Sequence, residues 1–181
     1  PFIIATDQAA PLTNCRFSDF TVDWNGVNNL LIQPGTGSPV ETARNNSSVF
    51  SLRGGINIIC ERLKIKETPG NQCIFFPAQS NLGQRNIVVR DCIFENNASA
   101  IPGNYNMDHS SVYCNGDYLV YENNTFRNDI NPTGFMACYE IHGSYSMAIG
   151  NKSEKYDHGF WIGTDFESIR GIKVIGDQHS N

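Results

Sequence analysis

The chain has 181 residues, a net charge of -5, 17% charged and 11% aromatic residues, and a mean hydropathy of -0.33. This is the size of one domain with one core, and the composition of a folded protein rather than a disordered tail. No cluster of Lys or Arg could track phosphates, so nucleic acid is not an expected partner, and no apolar run reaches the roughly 20 residues that span a bilayer, so membrane insertion is not expected either.

Pro1-Phe2-Ile3-Ile4-Ala5 lacks the basic flank and long apolar region of a secretion signal. The chain starts without Met and stops just after a strand-like segment, which reads as a fragment of a longer chain. Asn (21) and Gly (16) are abundant, whereas runs of strong helix formers are missing, so an all-β fold is expected.

In chain order, segments of one grammar recur at 16–22, 59–65, 89–94, 120–126, 148–152 and 175–178. Each is a short alternating strand with a polar bend of Asn, Asp or Gly. Aligning Asp19, Arg62, Asp91, Asn123, Asn151 and Gly176-Asp177 gives steps of about 43, 29, 32, 28 and 26 residues, the signature of a repeat architecture. Residues 30–51 break the step, and 33–48 are read as a loop protruding from the longest coil. Between the bends a second register runs through 73–77, 111–116, 138–143 and 160–164, so each coil has at least two strands. A half-dry strand cannot bury itself, whereas stacked coils form continuous ladders about 4.8 Å apart.

A β-sandwich competes, since Asn25-Gly26 and Asn115-Gly116 suit two-residue hairpins. A propeller, with about 40 residues per blade, is excluded by the shorter steps. Cys15, Cys60, Cys73, Cys92, Cys114 and Cys138 lie in apolar segments without zinc-like spacing, so they read as buried free thiols and favour assembly in a reducing compartment.

With 20–26, 55–59 and 86–96 in view, the chain resembles the right-handed parallel β-helix of the pectate-lyase-like superfamily, and within it phage tailspike and tail-fibre depolymerase domains. The resemblance covers nearly the whole chain as one domain, 1–181, but its rung patterns specify a fold far better than a substrate. It implies a polysaccharide bound or cleaved on the outer wall, a homotrimer, and location on a virion tail or, outside phage, secretion.

If Cys114, Ile141 and Ile162 point inward, their neighbours point outward. Tyr113, Glu140 and Trp161 then share one exterior row, and Asn115, His142 and Gly163 the next. Aromatic rings suit sugar faces, and Asn, His and carboxylates suit hydroxyls. Glycoside hydrolysis needs two carboxyl groups. Glu140 is the first candidate, with Asp117, Asp157 or Asp165 as its partner. Asp117 and Asp165, at equivalent positions two coils apart, would be about 9.6 Å from each other, near the upper end of the inverting range. Asp157 with His158, and Asp108 with His109, are expected as a row at the opposite strand end. Tyr113, Asn115, His142, Trp161, His158 and His109 are the expected sugar-binding residues.

No metal or cofactor is called for. Asp23, Asp129 and Asp177 are isolated, and nucleophile-elbow, phosphate-loop and dinucleotide motifs are missing. The leading expectation is a tailspike glycoside hydrolase acting on a bacterial surface polysaccharide. A non-catalytic receptor-binding or structural module, and a secreted lyase or epimerase, are the alternatives.

Overall fold

A strand of three to seven residues with one apolar face cannot bury that face by itself. Burial here comes from stacking. The computed structural model describes residues 2–5, 11–26, 28, 48–68, 70, 72–77, 83–97, 108–129, 135–163 and 168–180, and the regular structure among them is all β.

The first sheet contains β1 (Phe2–Ala5), β4 (Ser48–Ser51), β7 (Gln72–Phe76), β10 (Asp108–Cys114), β13 (Phe135–Ile141) and β16 (His158–Ile162), hydrogen-bonded in that order. The second contains β2 (Thr13–Ser18), β5 (Ile56–Glu61), β8 (Arg85–Arg90), β11 (Asp117–Glu122), β14 (Met147–Ile149) and β17 (Lys173–Ile175). The third contains β3 (Thr21–Asp23), β6 (Lys64–Lys66), β9 (Ile93–Glu95), β12 (Thr125–Arg127), β15 (Lys152–Glu154) and β18 (Gln178–Ser180). Every pairing among the described strands is parallel. Consecutive strands enter different sheets and sheet neighbours are one circuit apart, which is consistent with a parallel β-helix and leaves no place for the hairpins of a sandwich.

Each circuit thus contributes three strands among the described residues. The third escapes a reading by eye because the bend between the second and third sheets is a single left-handed residue: Asp19, Arg62, Asp91, Asn123, Gly150 and Gly176, with φ from 49° to 68°. The fifth bend is Gly150 rather than Asn151. Asn151 sits one residue further on, inside the stack, where it continues a column of buried amides. Cys92 N–H donates to Asn124 Oδ1 (3.0 Å), and Asn124 N–H and Nδ2 donate to Asn151 Oδ1 (3.0 and 2.9 Å). Asn151 N–H donates in turn to Asp177 Oδ1 (2.9 Å). The column supplies partners for backbone groups that turn inward at the corner, where water cannot reach.

Apolar ladders fill the rest of the interior. Phe50, Ile74, Val112, Tyr139 and Phe160 stand in register on the first sheet, and Phe17, Cys60, Val89, Tyr121, Ala148 and Val174 on the second. On the third, Phe94 and Phe126 stack at 4.8 Å. All six cysteines are free and all but the half-buried Cys15 are buried; burial raises the Cys73 and Cys92 thiols to about 12. Residues 33–47, read as a protruding loop, lie outside the described residues, and Ser48 opens β4.

Candidate functional site on the first sheet

The parallel register of the first sheet aligns Ser51, Phe75, Tyr113, Glu140 and Trp161 in one outward row. The expected grouping of Tyr113, Glu140 and Trp161 is therefore present, and Phe75 extends it by one coil. Phe75 and Tyr113 rings lie 5.4 Å apart, and Tyr113 lies 4.6 Å from the His142 imidazole. His142 continues β13, its N–H bonded to Cys114 O at 3.1 Å, which sets Asn115, His142 and Gly163 in the adjacent row.

Glu140 differs from the expectation of a carboxylate on an open wall. It is only 6% exposed, and its Oε2 stands 2.8 Å from His142 Nε2. At that distance one proton lies between the two groups, carried by Nε2 when the carboxyl is ionised and by Oε2 when it is not. The pair is a sheltered proton-carrying unit between aromatic neighbours. Gly163 gives it room: a Cβ there would stand 3.0 Å from His142 Cε1 and 2.9 Å from Trp161 Nε1. Trp161 is 45% exposed, and its ring meets His158 edge-on at 6.2 Å.

The other candidates occupy several places. Asp117 opens β11 at the corner, where its Oδ1 accepts Ser144 N–H at 2.8 Å. Asp157 Oδ2 lies 2.8 Å from His158 Nδ1. Asp165 lies outside the described residues. Asn115 is buried, and its carbonyl accepts from Gln84 Nε2 at 2.8 Å.

His109 requires a correction. It is fully buried, and Ser110, not His109, is level with His158 through Ala137. Strict alternation fails at the start of these strands, where the neighbours Cys138 and Tyr139 are both buried and Ser111 Oγ reaches the buried Tyr156 hydroxyl at 2.9 Å. The extra inward residue turns His109 away from the wall.

Two groups went unnoticed in the sequence. Glu61, buried on the second sheet, is bonded by Arg16, by Arg62 (2.6 Å) and by Arg90 (2.8 and 2.6 Å). The guanidinium of Arg90 first, then those of Arg16 and Arg62, hold its carboxyl at about 2. Tyr118 and Tyr145 stack at the first corner; aligning that corner with Asn14, Asn57 and Asn86 would have exposed them as departures. Among the described residues no group of three or more His, Cys, Asp or Glu is placed to hold a metal ion. Comparison with family models, with curated proteins and with solved structures finds no match for this chain.

Proposed function

We propose that the outer face of the first sheet binds an extended polysaccharide and cleaves it by glycoside hydrolysis, with Glu140 as one carboxyl catalyst. In this reading the chain is a right-handed parallel β-helix of the pectate-lyase-like kind, akin to tailspike depolymerases, and its substrate is a bacterial surface glycan. The observation that carries it is the sheltered Glu140 and His142 pair in line with Tyr113 and Trp161. Rings one coil apart offer stacking surface to successive sugars, and a shielded carboxyl can hold or release a proton at the glycosidic oxygen. The second carboxyl comes from Asp117, Asp157 or Asp165. No described strand of the first sheet carries Lys or Arg, which favours a neutral glycan over an acidic one and disfavours lyase or epimerase chemistry on uronic acids. A homotrimer on a virion tail goes with this reading and rests on the resemblance alone.

Glu140→Gln tests it, because the amide keeps an acceptor for His142 Nε2–H and removes the acid. On a panel of capsular and O-antigen polysaccharides, oligosaccharide release should fall by about 100-fold or more while retention of the polymer persists. Unchanged turnover would take Glu140 out of the mechanism. Binding without turnover is the second reading, favoured because Asp117 and Asp157 are both engaged outside the Glu140 row. It requires wild-type protein to retain a polymer and never shorten it.

A further inference from the structure

At the corner from the first to the second sheet, each circuit places one residue in the left-handed region: Asn14, Asn57, Asn86, Tyr118, Tyr145 and Gly171, with φ from 54° to 72°. Asn and Gly are the ordinary occupants of that conformation, and a bulky aromatic there is strained. In four circuits the corner follows the rule, three of them with Asn, where Asn57 Nδ2 donates to Asn14 Oδ1 (2.8 Å) and Asn86 Nδ2 to Asn57 Oδ1 (2.9 Å). Two successive circuits break it. Tyr118 and Tyr145 are 50% and 45% exposed, their rings stacked 5.3 Å apart at 16°. The Arg170 guanidinium lies 5.5 Å from the Tyr145 ring centre, and a Cβ on Gly171 would stand 2.9 Å from Tyr145 Cδ1, so the next circuit leaves the ring its space.

Both rings are about half exposed, so burial alone does not call for tyrosine at this bend. Tyr145 follows His142 by three residues, at most about 11 Å between Cα atoms. Between them, Asp117 binds Ser144 N–H and locks the two circuits together. The tyrosine stack therefore stands within a few residues of chain from the His142 end of the row that holds Trp161, Glu140 and Tyr113. We infer that Tyr118 and Tyr145, with Arg170, form an outlying sugar subsite that extends the polysaccharide track beyond the Glu140 row. The ligand is a hydroxyl-rich saccharide unit of the same polymer, held by ring contact and by the phenol and guanidinium edges. This rests on the first-sheet face being a glycan-binding face.

The test replaces both tyrosines by the residue the same corner uses in three other circuits. Tyr118→Asn with Tyr145→Asn keeps the left-handed bend, so the thermal midpoint should hold or rise. The probe is the neutral polysaccharide retained by wild type from a capsule and O-antigen panel, together with its partial-acid-hydrolysis fragments sized by chromatography. The double variant should bind the longest fragments about tenfold more weakly and the shortest bound fragments as well as wild type does. Equal affinities at every length would overturn the subsite and leave the Glu140 row standing, as would lost self-association with unchanged glycan binding, which would make the stack a protein contact. If wild type retains no polysaccharide, the subsite and the reading beneath it fail together.

Discussion

From circuit to circuit, the outward row of the third sheet is Asp23, Lys66, Glu95, Arg127 and Glu154, whereas that of the first is Ser51, Phe75, Tyr113, Glu140 and Trp161. On the third sheet the sign alternates at every step, and adjacent circuits pair: Lys66 with Asp23 at 2.7 Å, Arg127 with Glu95. The second sheet does the same around Glu61. Opposite charges one strand apart attract, like charges are kept two strands apart, and a circuit threaded out of register would bring like charges together. On that side charge serves the stacking. On the first sheet the row's one carboxylate has no basic strand residue in register. Its partner is the His142 imidazole two residues along its own strand, and its row neighbours are rings. That arrangement does nothing for register, which is why the proposed glycan is placed on this face.

That contrast can be broken most forcefully at the corner column. Asn151→Ala would strip partners from the Asn124 N–H and the Tyr121 carbonyl, both within 3.0 Å of it and buried. With two interior polar groups stranded, stability should fall by about 3 kcal/mol. In a thermal melt that is roughly 6 to 12 °C at this chain length, and a loss under 2 °C would mean the column is not a support. A smaller fall, of several degrees, is expected for Glu61→Gln, which leaves three guanidinium groups around a neutral amide. The same residue gives a pH signature. Its folded value of about 2 lies below the ordinary Glu range, so its contribution is complete above roughly pH 4.5 and disappears as pH falls toward 2. Asp19, held at about 2 chiefly by its hydrogen bonds from Arg62, titrates over the same window. Melts taken between pH 5 and 2.5 should show the wild type losing more of its midpoint than the Gln variant; parallel curves would remove Glu61 from the acid response.

The sequence pattern showed most of this frame and part of the site. Repeating bends revealed the stacking, and alternation from Cys114, Ile141 and Ile162 placed Tyr113, Glu140 and Trp161 together, because a parallel ladder carries one strand's parity to the next. Parity fails where the backbone departs from it. The double inward step at Cys138 and Tyr139 buries His109, and one left-handed residue at Asp19 or Arg62 turns a corner without the Gly and Pro clusters that mark turns by eye. Nor does alternation measure depth. Glu140 points outward and is still shut away, bonded to an equally buried His142.

On the first sheet, changes should register in ligand handling more than in stability. Gly163→Ala sets a methyl against the Glu140-bound His142 and against Trp161, whose half-exposed ring can swing aside. We expect a nearly unchanged melt and a loss of about tenfold in turnover or binding of the retained polysaccharide, since small displacements of reacting groups are costly. A drop in stability with intact binding would instead place Gly163 among the supports.

The smallest effect belongs to the most visible ion pair. Asp23 and Lys66 lie 2.7 Å apart with side chains 47% and 32% exposed, and each shifts the other's titration, Asp23 downward and Lys66 upward through their shared hydrogen bond. Water and salt screen such a pair, and holding two mobile side chains together consumes much of the attraction. Asp23→Asn should therefore move the thermal midpoint by no more than about 2 °C, and less in high salt. The alternating row consists of several such weak contacts, so its value lies in the registers it disfavours rather than in the stability of the one it permits. A large loss from this single substitution would reverse that account and make the charged row a principal source of stability.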